Sequence, residues 1–226
     1  MTSKYAIDDI KVHKYILEPI RSNMYVMIKN QTACIIDPHI SVDADKLLEK
    51  NIVKQITIVL THEHYDHISG VNHFRENWDC VVIGNAITKE YLPSPQKTLS
   101  AFYKSMLFGK EESIIRAAEN VFDENYSCYA DIGFEKEYFF QWNGCKIHLI
   151  ETPGHSKGSI CVVVNDRYLF SGDSLVADNL VITKLPGGSK KEYMEITGPF
   201  LKGLPKDIIV FPGHGDEGQI DSFEIV

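Results

Sequence analysis

Short runs of apolar residues, cut by turns and prolines, dominate the chain. Residues 24–29 are rich in strand-forming side chains, Asn30 and Gln31 form a turn signal, and residues 33–36 run apolar until Asp37 and Pro38 end the strand. Residues 56–60 and 80–84 are continuous apolar stretches, the pattern of strands buried on both faces. Between them, Val42–Lys50 has helical spacing: Val42, Leu47 and Leu48 share one side, and Asp43, Asp45 and Glu49 lie outside.

The middle of the chain changes character. Pro93 and Pro95 interrupt it, and residues 98–108 place Leu99, Phe102, Tyr103, Met106 and Leu107 on one apolar stripe. That spacing predicts a helix stopped at Gly109, with a second helix over 111–121. The stripe suits core packing or a lid over a site. Strands resume at 146–150, Ile160–Val164 and 168–170, a polar helix follows at 190–202, and a last strand at 207–211. Strands in both halves with helices between and outside predict one layered α/β domain over 1–226, with a helical insertion at about 86–135.

Charge narrows the function. Lys and Arg total 23 against 31 Asp and Glu, a formal net charge of -8. Phosphate-backbone binding draws on Lys and Arg, so a nucleic-acid partner is not expected. An anionic membrane surface is not expected either, and no apolar run approaches the ~20 residues of a membrane-spanning helix. The first residues show no basic segment followed by an apolar one, so no secretory signal is expected. Cys34, Cys80, Cys128, Cys145 and Cys161 are scattered and odd in number, which predicts free thiols and a cytoplasmic location rather than a disulfide framework.

The nine histidines are less evenly spread. His62, His64, Asp66 and His67 crowd into one segment, Thr61-His62-Glu63-His64-Tyr65-Asp66-His67, directly after the apolar run 56–60. Desolvating so many polar groups without partners would be costly. Borderline metal ions want this mixture of nitrogen and oxygen donors. In an irregular loop, positions 62 and 64 can face one ion while 66 and 67 face another. Three further sites repeat one grammar of strand, glycine and donor: Gly154-His155, Gly172-Asp173 and Gly213-His214. Glycine lets the backbone turn sharply and approach closely there.

These motifs, in this order over roughly residues 20–215, resemble those of metallo-β-lactamase-fold hydrolases, and within them the glyoxalase II-like branch. The resemblance implies a four-layer αββα sandwich with its metals on the edge shared by both sheets. It implies that His62, His64 and His155 hold one divalent ion, that Asp66, His67 and His214 hold a second, and that Asp173 bridges them. Zinc is the expected metal, with iron or manganese as alternatives. Two ions ~3.5–4 Å apart can generate a bridging hydroxide near neutral pH and polarise a carbonyl, so no Ser or Cys nucleophile is needed. Asp66 would also orient that nucleophile. The implied activity is hydrolysis of a thioester of the hydroxyacylglutathione kind, or of a related acyl compound. Persulfide oxidation at a single iron and lactone hydrolysis are alternatives on the same fold, as is a binding module without turnover. The expected partner is a small-molecule substrate, with a homodimer as a further option.

Other signals stay secondary. Gly172-Asp173-Ser174-Leu175 spells the GDSL block of serine esterases but lacks that fold's later Asp-x-x-His. His13, His39, His73 and His148 have no neighbouring ligands in sequence, and residues 184–189 are either a plain turn or a border of the substrate site. Leu175 and Val176 follow Asp173 where lactonase-like members carry a tyrosine, which favours a thioester. Residues 216–226 are short for the C-terminal helices that bind glutathione in the glyoxalase II family.

Overall fold

Alternating side chains on two β-sheets sort the hydrophobic residues into three layers. The computed structural model describes residues 2–18, 20–106, 111–119, 122–177 and 180–225. The first sheet has the order β1 (Thr2–Ile7), β2 (Ile10–Leu17), β3 (Ser22–Lys29), β4 (Thr32–Ile36), β5 (Gln55–Val59), β6 (Asp79–Asn85) and β7 (Ile132–Phe134). The second runs from β8 (Glu137–Trp142) through β9 (Cys145–Glu151), β10 (Ile160–Val164), β11 (Tyr168–Gly172) and β12 (Ile209–Pro212) to β13 (Gly218–Gln219). Tyr25, Met27, Cys34 and Ile36 face Ile147, Val162, Val164 and Phe170 across the space between the sheets. Their neighbours Val26, Ala33 and Ile35 turn outward to Leu48 and Phe74, while Cys161, Val163 and Leu169 turn outward to Tyr193 and Leu201. One side chain in, the next out, gives helix, sheet, sheet, helix.

The parallel pairings decide where helices must lie. β4 through β7 are parallel, and each crossover must return over one face of the sheet. The returns carry α1 (Val42–Lys50), α2 (Tyr65–Ile68) and α3 (Val71–Asn77), and after β6 α4 (Ala86–Tyr91), a 3-10 turn at Ser100–Phe102, α5 (Tyr103–Met106) and α6 (Glu112–Glu119). Ser41 caps α1 through the Ala44 N–H, and Asp43 and Asp45 sit in its first turn. β11 and β12 are also parallel, and their crossover carries α7 (Lys190–Glu192), a π-helical turn at Tyr193–Thr197 and α8 (Gly198–Lys202). Pro199 has no N–H for the regular ladder, and the π turn falls where that bond is missing.

Two sequence expectations need correction. The single helix over 98–108 is broken at its start, because Leu99 is left-handed at φ 65° and the chain enters a 3-10 turn before α5. Leu107, Phe108, Gly109 and Val121 lie outside the described residues. The segment 86–135 is the crossover between neighbouring strands β6 and β7, so it ends in a strand as well as holding helices. β1, β2 and β8 had no clear signal, since polar residues interrupt their apolar ones. No helix among the described residues is long and apolar enough to cross a membrane.

Candidate metal centre

The donors named from sequence meet where β5, β9, β11 and β12 end. β5 ends at Val59 and leads into the loop carrying His62 and His64, after which α2 presents Asp66 and His67. His155 follows β9, Asp173 follows β11 and His214 follows β12. The two sheets are stitched together at this edge by Asn23 N–H to Gly213 O (2.7 Å) and Ile160 N–H to Thr61 O (2.8 Å). Gly213 is required there: a Cβ would collide with the Asp173 carboxylate and the Gly172 backbone. Gly172, at φ 49°, has the Thr61 side chain where its Cβ would stand.

Two donor sets result. His62, His64 and His155 offer atoms all within 4.8 Å of one another, and so do Asp66, His67 and His214. Asp173 stands between them, with Oδ2 3.4 Å from His155 Nε2 and 3.5 Å from His214 Nε2, and Oδ1 3.5 Å from His67 Nε2. All seven sequence-predicted residues are therefore together. His62 and His67 are buried, and His214 closes the solvent side at 29% side-chain exposure.

Asp37, which the sequence showed only as a strand stop, organises both sets. Its Oδ1 accepts from Thr61 N–H at 2.7 Å, and its Oδ2 accepts from Thr61 Oγ1 at 2.6 Å and His67 Nδ1 at 2.8 Å. Thr61 spends its only proton on Asp37, so at 3.1 Å its oxygen accepts from His62 Nδ1. Both rings thereby keep a proton on Nδ1, which leaves Nε2 as the atom turned toward the centre of the site. His155 donates from Nδ1 to Ile182 O at 2.8 Å, which directs its Nε2 at His64 Nδ1, 2.9 Å away. Asp37 also lies within 4.8 Å of His62 and His67, but its oxygens are occupied by these hydrogen bonds.

Glu63 was likewise missed. It is buried, accepts from Ser156 Oγ at 2.9 Å, and so ties the His62–His64 loop to the His155 loop. Burial pushes its carboxyl above the usual range.

The electrostatics divide the same way. Burial and the neighbouring imidazoles hold His62 well below the usual histidine range, and burial lowers His64 to about 3. Both stay neutral with lone pairs free. Burial opposes a charge on His67, yet Asp66, Asp173 and Asp37 outweigh it and raise that ring well above its ordinary value. Burial opposes ionisation of Asp66 too, but His67 and His214 hold its carboxyl well below the usual range. His62 Nε2, His64 Nε2 and Asp173 Oδ1 are buried without a hydrogen-bond partner. Buried donors and acceptors are rarely left so. A divalent cation shared among these lone pairs fits the His62 and Asp173 atoms, and the donor chemistry suits such an ion.

A cavity of about 180 Å³ opens onto this edge. His64, Asp66, His155, Asp173 and His214 form its floor, and Ile20, Leu99, Tyr103, Ile182 and Leu185 its wall. Leu185 places the 184–189 loop at the border of the site, and Tyr103 brings the middle crossover there. Ser174 of the GDSL string is fully buried and bonded to Thr152 Oγ1 at 2.9 Å, away from this role. His73 pairs with Asp45 and His148 with Glu137, outside the cluster.

Comparison with known proteins agrees with the geometry. The family model described as the metallo-beta-lactamase superfamily matches residues 17–214. A probable metallo-hydrolase of Streptococcus pyogenes serotype M6 is 29% identical over 221 residues, 93% of this chain and 86% of that protein. The probable polyketide biosynthesis zinc-dependent hydrolase BaeB of Bacillus velezensis is 26% identical over 219 residues, 95% and 80% of the two chains. Among solved structures, the BLEG-1 B3 metallo-beta-lactamase superposes with a TM-score of 0.75 at 27% identity, covering 93% of this chain and 95% of that one. TTHA1623 in a di-iron-bound form shares the fold with a TM-score of 0.70 at 23% identity, covering 93% and 96%.

Proposed function

The chain belongs to the metallo-beta-lactamase superfamily, and from that footing we propose that it is a dinuclear metal-dependent hydrolase acting on a thioester or related acyl compound. The observation that carries this reading is the pair of donor triads with Asp173 facing both. In it, His62, His64 and His155 would hold one divalent ion and Asp66, His67 and His214 the other, with Asp173 in reach of both. A single-ion oxidase would leave the second triad without a role. Zinc is the expected occupant, in keeping with the zinc-dependent relative, and iron is the alternative, in keeping with the di-iron neighbour.

Two such ions supply an activated water and a Lewis acid for the carbonyl oxygen. The chain's part is to position and to exclude. Asp37 keeps the Nδ1 protons of His67 and, through Thr61, of His62, so both Nε2 atoms face inward, where they would meet a metal. Ile182 O does the same for His155. Asp66, held ionised on the floor of the cavity, would orient that water. Burial raises the thiols of Cys34, Cys128 and Cys161 to about 12, so none of these is a ready nucleophile. The thioester preference rests on Leu175 and Val176 after Asp173.

Elemental analysis of purified protein, then a screen of thioesters, lactones and phosphodiesters, tests the reading. Two metals per chain, highest kcat/KM on thioesters, and a loss of about 100-fold or more in His214→Ala are expected. Less than one metal per chain together with undiminished hydrolysis by His214→Ala overturns it.

A further inference from the structure

The crossover after β6 reaches the metal edge through Leu99 and Tyr103, and nothing in the proposed ligand chemistry requires it to. Its seat is rigid. Tyr65, between His64 and Asp66, donates its N–H to Thr98 O at 2.9 Å. Its ring meets Tyr103 edge-on at 5.4 Å, and its hydroxyl accepts from Asp123 N–H at 2.8 Å. Phe122 packs on Tyr103 with ring centres 4.5 Å apart. Leu99 keeps a left-handed φ of 65°, a costly conformation for leucine, and is 3% exposed at the cavity wall. Strain of this kind persists where surrounding packing enforces a placement.

The wall is otherwise Ile20, Ile182 and Leu185. Ile182 is 58% exposed while its carbonyl is fixed on His155, so apolar surface stands open beside the metal ligands. Among the described residues the Tyr103 hydroxyl is the one polar side-chain group on the wall, and it is turned to Asp66. At about 180 Å³ the cavity is smaller than the roughly 300 Å³ at which drug-sized sites begin.

Resting on the hydrolase reading above, we infer that Leu99, Tyr103 and Ile182 form an acyl pocket selecting short, unsubstituted acyl groups over hydroxyacyl groups. A hydroxyl on the acyl chain would meet apolar carbon over most of the wall, and the one side-chain partner that the described residues place there, the Tyr103 hydroxyl, is already turned to Asp66. An acyl chain much longer than the wall would leave its end in water.

The test uses metal-loaded protein and N-acetylcysteamine thioesters from acetyl to dodecanoyl, with lactoyl as the hydroxylated counterpart of propanoyl. kcat/KM should peak among the short acyl groups and fall by dodecanoyl, with lactoyl about tenfold or more below propanoyl. Leu99→Ala and Ile182→Ala should each move the peak to longer chains with metal content unchanged. In metal-free protein, hexanamide should shift the methyl resonances of Leu99 and Ile182, and lactamide should not. A flat series, a maximum at dodecanoyl, lactoyl above propanoyl, or methyl resonances indifferent to hexanamide overturns the inference while leaving the hydrolase reading intact. No thioester turnover by protein carrying two metals overturns the thioester reading itself, and the pocket's role with it.

Discussion

Asp37 holds more of the site together than any single ligand. Its two oxygens accept three hydrogen bonds, and through Thr61 and His67 they set the ring tautomers in both donor sets. Asp37→Asn therefore tests orientation without changing size. Whichever way the amide turns, an N–H₂ faces a donor: Thr61 N–H on one side, or Thr61 Oγ1 and His67 Nδ1 on the other. His67 can answer by moving its proton to Nε2, where it blocks a metal. Affinity at the Asp66–His67–His214 set should fall by about 10–100-fold, the usual cost of losing such an outer partner. Metal titration should show that set weakened directly, and the His62 set weakened less, because Asp37 reaches His62 only through Thr61. Unchanged affinity at the Asp66–His67–His214 set would mean that Asp37 does not set the His67 tautomer.

At the level of elements, the ligand-bearing turns and the middle crossover behave as one unit because Tyr65 is shared between them. Its ring lies against Tyr103, Phe122 and Tyr126, at 5.4, 5.7 and 5.1 Å between centres. Tyr65→Phe keeps that packing and leaves the Asp123 N–H without its acceptor. A cost of about 1–2 kcal/mol is expected. Hydrogen exchange should quicken through residues 122–128, with the amides of β9 and β10 unaffected. Unchanged exchange over 122–128 would show that the hydroxyl does not anchor the crossover. What the sequence disclosed divides along the same line. The seven donors were legible because each sits in a local string whose chemistry is unusual, and β10 because burial on both faces leaves an unbroken apolar run. Asp37 was not legible: its partners Thr61 and His67 lie 24 and 30 residues further on, and a polar residue before proline reads as a turn. The helix expected over 98–108 failed for a related reason. Its apolar spacing is real, but Leu99 answers to the cavity and to the Tyr65–Thr98 bond rather than to a helix axis.

For the molecule as a whole, the metal edge is where two sheets with separate outer cores are joined. Donors follow β5 in one sheet and β9, β11 and β12 in the other, so ions bound there cross-link the sandwich. Hydrogen bonds between the sheets and three apolar layers remain without them, so chelation should lower stability rather than abolish the fold. An ion at 1,000 times its Kd adds about 4 kcal/mol. For a chain of this size that is a fall in Tm of roughly 8–16 °C on chelation. The gap should also depend on pH. His67 and His214 hold protons more tightly than usual because, against burial, Asp66 and Asp173 favour their charged forms. An ion entering the second set must displace those protons, a cost that grows as pH falls and fades as it rises. His62 and His64 are held below their ordinary values, chiefly by burial, and impose no such cost near neutrality. The difference in Tm between loaded and chelated protein should thus be greatest at mildly alkaline pH. By about pH 5 it should shrink, with one ion leaving before the other, since histidine protonation spans that range. Calorimetry paired with elemental analysis across that range separates the cases. A gap independent of pH, or both ions lost in a single step, would contradict the division of the site into a proton-holding and a proton-free half.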